Sequence, residues 1–171
     1  MSNNESGTVS HIDAFSIRTG NAVAWLTLIM VLVTTIIVVL RYAFEFGFIW
    51  LQEALTWLHA VVFMLGAAYT LQREEHVRVD IFYRKMSARR RAWVNAIGVV
   101  LFVFPLCGFF LYECYDYVAA SWSIGEVSVN AGGLPYPFVP LLKTILLVMP
   151  VAVALQGLSL LLASVRQIRR D

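Results

Sequence analysis

The sequence predicts an all-α integral membrane protein: one membrane domain over residues 1–171, four spanning helices and both termini in the cytoplasm. Three observations carry this. Of 171 residues, 60% are hydrophobic and 14% charged, against about 25% charged in soluble domains. The apolar residues gather into four long runs, near 20–40, 54–72, 92–112 and 140–165, lengths that soluble domains rarely concentrate and that a hydrocarbon layer of roughly 30 Å demands. Basic residues crowd the connection between the second and third runs and the C-terminus, and are scarce between the third and fourth. That asymmetry orients the chain, because short basic loops stay in the cytoplasm. The net charge of +2 adds little, and nucleic acid is not an expected partner.

The first run follows Arg18 and extends from Gly20 to about Leu40, dense in Val, Ile, Leu and Thr. β-Branched residues form helices poorly in water, but an unpaired backbone group in a bilayer costs several kcal/mol, so a helix is expected regardless. Residues 1–19 are polar and read as an aqueous tail. The run is too long for the apolar segment of a signal peptide and lacks a cleavage site after it, so it is expected to stay in the mature protein. From Arg41 to Trp50, Tyr42, Phe44, Phe46, Phe48 and Trp50 alternate with other residues. An isolated strand would have no ladder to join here, so the alternation predicts an interfacial aromatic belt, or else an in-plane helix.

The second run, Ala54 to Gln72, has 19 uncharged residues, about 28 Å of helix at 1.5 Å per residue. The loop 73–91 holds seven basic residues, Arg73, Arg78, Arg84, Lys85, Arg89, Arg90 and Arg91, and is expected in the cytoplasm. The third run starts near Ala92 and is uncharged to Tyr112. No breaker follows before Trp122, so its helix is expected to outrun the bilayer and to tilt or project, with a kink at Pro105. The loop 113–139 is expected in the periplasm, with Gly132-Gly133-Leu134-Pro135-Tyr136-Pro137 making a tight re-entry. Pro150 and a close-packing Gly157 lie within the fourth run, and Arg166, Arg169 and Arg170 end it inside.

Chemistry-bearing residues are few. Cys107 and Cys114 stand seven apart on one helix, too far for a disulfide, and read as small apolar side chains. No nucleophile elbow, phosphate loop, metal cluster or pair of facing acids occurs, which argues against an enzyme and leaves no cofactor expected. Glu53 opens the second helix, either as a carboxylate favoured by the helix dipole or as a polar contact to another helix, in this chain or in a partner. His59 reads as a neutral interfacial or interhelical histidine. A haem site would need a second axial ligand at similar depth, and His11 and His76 are not so placed. Gly66 stands four residues before Thr70, a small-xxx-small spacing that lets helices approach closely. In His76-Val77-Arg78-Val79-Asp80 charged and apolar residues alternate. The segment is either a solvated cap dipping into the interface or a fold-back docked by specific charge pairs.

Trp50-Leu51-Gln52-Glu53 opening a helix, Phe63 and Gly66-Ala67 within it, and His76-Val77-Arg78-Val79-Asp80 just beyond together resemble the small membrane subunit of TRAP transporters, the tripartite ATP-independent periplasmic systems. Length, four spans, inside termini and a Pro-containing last helix are similar too. The resemblance implies a bacterial inner-membrane, multi-pass protein paired with a large permease subunit that holds substrate and sodium sites, and served by a periplasmic solute-binding protein carrying an organic acid. It implies a scaffold against which the large subunit moves, with no transport by this chain alone. A transport core should show broken helices, midplane polar groups and an inverted repeat, and none is found here. Glu53, Trp57, Gly66, His76, Arg78 and Asp80 are the residues expected to meet the partner or carry the family motif. The rival readings are a haem-carrying anchor of a respiratory complex and a small oligomeric channel or exporter, for which the apolar first and fourth helices offer no pore-lining stripe.

Overall fold

A computed structural model describes residues 3–72 and 86–170. Helix α1 is Asn3–Ala43 and α2 is Ile49–Gln72. A continuous rod follows, made of α3 (Ala88–Gly98), one π-helical turn (Val99–Val103) and α4 (Phe104–Ser123). The last helix, α5, is Phe138–Arg170. Four helical stretches are long and apolar enough to cross a membrane: Gly20–Ala43, Ile49–Leu71, Ala88–Ser123 and Phe138–Arg169. Among the described residues there is no strand.

The helices are organised about α5. The α1–α2 hairpin packs on it, and so do α3, the π turn and α4. The hairpin and the rod have little contact with each other, so α5 lies between them. Helix α1 meets the bundle through a narrow seam. Val23 is buried and Leu26, Met30, Val33, Ile37 and Leu40 are half-buried, while every other residue from 21 to 43 is exposed. Spacings alternating three and four residues are those of a left-handed helix pair. At one end of the seam the Tyr69 ring lies directly on Gly20, where a Cβ would collide with it. Gly66 faces Val23 with room to spare, at 3.9 Å from an added Cβ to Val23 Cγ1.

Helix α5 makes its tightest contact at Gly157. A Cβ there would stand 3.1 Å from Val103 and 3.4 Å from Val99, so the missing side chain lets the π turn seat against the helix, as expected of a small residue at a membrane helix crossing. The π turn itself answers Pro105. A proline lacks the N–H of the helical ladder and crowds the preceding turn. Here the ladder widens just ahead of it, with the Phe104 N–H donating to the Val99 carbonyl five residues back, a π-bulge that absorbs the proline without ending the helix. The rod therefore runs 36 residues, about 54 Å, long enough to outrun a bilayer.

Two expectations need correction, and between them one open alternative is decided. The tail before Gly20 is helical from Asn3. Residues 3–19 contain no proline, and extending a helix already nucleated by the span costs little. Residues 41–50 form neither a strand nor an in-plane helix. The chain turns sharply at Glu45, whose φ is 59°, the Phe46 N–H caps the Leu40 carbonyl at 2.9 Å, and α2 has begun by Ile49. Phe44, Phe46, Phe48 and Trp50 do project from this turn as an exposed aromatic group. Finally, Arg89, Arg90 and Arg91 lie in the first turn of α3 and not in a loop. Ser87 caps that turn by accepting the Arg90 N–H at 3.4 Å, and Arg91 Nε donates to the Met86 carbonyl at 3.1 Å.

Candidate functional site

The polar chemistry of the described residues concentrates at the end of the bundle where α2 begins and α4 hands over to α5. Helix α4 stops in a Schellman turn: Gly125, with φ of 59°, donates to the Trp122 carbonyl at 3.3 Å, and the Glu126 N–H donates to the Ser121 carbonyl at 3.1 Å. Glycine adopts this left-handed position without steric cost. The turn aims Glu126 back at α5, where Lys143 Nζ bonds its carboxylate at 2.5 Å and lies 3.9 Å from the centre of the Tyr117 ring. That bond is the main cause that holds the Glu126 carboxyl below its ordinary pKa. Next to it Trp122 Nε1 donates to Thr144 Oγ1 at 3.0 Å, and the Trp122 and Tyr136 rings meet edge to face at 6.3 Å.

The segment 128–134 then closes on Glu53. Ser128 Oγ and Asn130 Nδ2 donate to Glu53 Oε1 at 2.5 and 2.8 Å, and the Leu134 backbone N–H donates to Oε2 at 2.7 Å. The loop is held in its own shape by Ser128 N–H to the Leu134 carbonyl at 3.3 Å and Gly133 N–H to the Asn130 carbonyl at 3.0 Å. Gly133 must be glycine for the loop to come this close, since a Cβ would strike Ser128 Oγ and stand 2.7 Å from both Glu53 oxygens. One carboxylate thus satisfies three donors from a loop more than seventy residues away, and charge-assisted bonds of this kind are the stronger ones. With its polar groups turned inward, the loop shows apolar side chains outward: Ile124, Val127, Tyr136 and Val129, the last 96% exposed.

Of the residues singled out in the sequence, Glu53, Trp57 and Gly66 all make contacts within the chain. Glu53 clasps the loop, Trp57 meets Phe138 of α5 edge to face at 6.1 Å, and Gly66 faces α1. His76, Arg78 and Asp80 lie outside the described residues. His59 is exposed on α2, turned away from the bundle. The loop residues Ser128 and Asn130 went unselected in the sequence, and so did the pairing of Glu126 with Lys143. Gly132-Gly133 signalled the turn, but nothing local linked it to Glu53. Cys107 is buried and Cys114 half-buried, both as free thiols. No group of three or more His, Cys, Asp or Glu side chains among the described residues is arranged to hold a metal.

Fold and site define a multi-pass helical membrane protein whose described polar side chains fasten helices and loops together. Residues 30–170 match the family model "Tripartite ATP-independent periplasmic transporters, DctQ component", more than half of the 171 residues. The chain belongs to this family, the small membrane subunits of TRAP transporters, which are transporter components and not enzymes. No curated protein and no solved structure matches the chain.

Proposed function

We infer that this chain is the static partner of a large TRAP permease subunit in the bacterial inner membrane, serving sodium-coupled uptake of an organic acid delivered by a periplasmic solute-binding protein. Both termini and the basic stretch of residues 73–91 face the cytoplasm, and the clasped loop 124–137 faces the periplasm, in keeping with the positive-inside rule. The family match over residues 30–170 is the observation that carries this reading.

The architecture supports it. Along the described spans no helix is interrupted by a non-helical stretch, whereas transport sites are built on helices broken at mid-depth. The chain instead braces itself: a carboxylate ties the outer loop to α2, and an ion pair ties the end of α4 to α5. A brace of this kind gives a moving permease domain a fixed surface. Glu53, Trp57 and Gly66 serve the assembly by holding that surface in shape, and His76, Arg78 and Asp80 dock on the partner. The outward apolar residues of the loop, Val127 and Val129, add surface for the binding protein.

Affinity purification of the tagged chain from its native membrane in mild detergent, with mass spectrometry of its companions, tests the reading. Recovery of one many-spanning permease in fixed stoichiometry is expected. A homo-oligomer alone, or a coloured complex with redox subunits, would replace it with the channel or haem reading.

A further inference from the structure

Helix α2 is enclosed on two sides by α1 and α5, and between Thr56 and Leu71 its exposed residues form one stripe: Thr56, His59 and Phe63. The spacings of three and four residues place them in a single line one helix wide. Phe63 is 75% exposed. Thr56 donates its hydroxyl proton to its own helix, at the Gln52 carbonyl, but His59 has no such recourse, and no described residue bonds to it.

The depth of His59 makes this consequential. It stands six residues past Glu53, about 9 Å along the helix. Because Gly66 faces Val23 of the antiparallel α1, His59 comes level with Met30, halfway along the apolar run 20–40. Helix side chains lean toward the N-terminal end, which for an imidazole shortens the distance to the loop end without closing it. An imidazole facing hydrocarbon would leave its N–H and its ring nitrogen unbonded, which lipid cannot remedy, and ionisable groups at such depth face protein or water. The exposed face of α1 is the contrast. Its polar groups at depth are threonines, and Thr34 and Thr35 bond their own backbone at Met30 and Val31, a surface that suits lipid.

We propose that the Thr56–His59–Phe63 face of α2 receives one membrane-spanning helix of the large permease subunit, which presents a hydrogen-bonding group to His59 inside the bilayer. This rests on the reading of the chain as a permease partner. A stripe one residue wide fits a single helix, Phe63 supplies the apolar knob, and the bond to His59 fixes the register.

The test places a photoreactive amino acid at position 59, 63 or, as control, 32 on exposed α1, in the complex co-expressed with its large subunit. Adducts to the large subunit from 59 and 63 but not from 32 are expected. Adducts from 59 and 63 to lipid alone, or to a second copy of this chain, would overturn the proposal. If the unmodified chain fails to bring down a large permease at all, the functional reading beneath it fails instead. As a second arm, His59→Leu should weaken retention of the large subunit about three- to thirty-fold, the range for polar contacts between membrane helices, and His59→Gln should keep most of it. The isolated chain should melt alike in all three forms, since His59 bonds nothing within it. Equal retention by His59→Leu would overturn the proposed bond.

Discussion

Helices α1 and α5 are both long and strongly apolar, yet only 6% of the most apolar eighteen residues of α1 are buried against 22% of those of α5. The difference follows from small and polar residues, not from hydropathy. In α1 the span is filled with Val, Ile, Leu and Thr, and it touches the bundle by one seam. In α5 the buried positions are Pro140, Pro150, Gln156, Gly157, Ser159 and Ser164. Where lipid is as apolar as leucine, side-chain hydrophobicity does not choose the protein-facing side. Close backbone approach and polar groups that shun lipid do. The helix that joins the others is therefore the one that looks less oily along one face.

Substitutions can break this contrast. The largest effect is expected from Gly157→Leu, which drives a side chain into Val99 and Val103 and should cost about 1–3 kcal/mol or more by overpacking, read as a lower melting temperature of the detergent-purified chain. A comparable enlargement on α1, Val31→Leu, should stay within about 0.5 kcal/mol. Equal losses from the two would erase the distinction between hub and edge.

Within the α1–α2 seam the same measurement separates two glycines. Gly20→Ala must push Tyr69 aside and should cost about 1 kcal/mol or more, whereas Gly66→Ala has ordinary contact space before Val23 and should be near neutral. A reversed order would show that the helices cross elsewhere.

The clasp between α2 and the loop entering α5 calls for a local probe. Glu53→Ala should speed hydrogen exchange at the Leu134 amide and protease cleavage in 128–134 several-fold while leaving membrane insertion intact. Protection unchanged from wild type would remove the clasp from the account.

The smallest effect concerns pH. The Glu126 carboxyl is held below its ordinary value chiefly by Lys143, so its contribution is full above the unfolded carboxylate pKa and fades as pH falls through the lowered folded one. Acid loosening of the loop, followed by Trp122 fluorescence, should thus begin below the usual carboxylate range and shrink in Glu126→Gln, the remainder belonging to the Glu53 clasp. Loosening at neutral pH would mean that another group controls the loop.

Much of this was legible in the sequence for physical reasons. Twenty apolar residues in a row have few alternatives to a spanning helix, Gly157 and Pro105 announced close packing and a disturbed ladder, and the run beyond Tyr112 lacked a breaker. The helix before Gly20 was not legible, because its polar residues look like a tail until the span beside it supplies the nucleus. The turn at Glu45 depends on a left-handed conformation that a glutamate does not advertise. The partners of Glu53 were hidden by distance along the chain, since a carboxylate at a helix start reads the same whether solvent or a loop more than seventy residues away satisfies it.

On the proposed function the chain supports transport without performing it. The most direct measurement is sodium-driven uptake into proteoliposomes that contain the large permease subunit and its binding protein, with this chain present or omitted. Uptake that requires all three components is the expected result. Uptake by this chain alone, or undiminished uptake by the large subunit without it, would contradict the account.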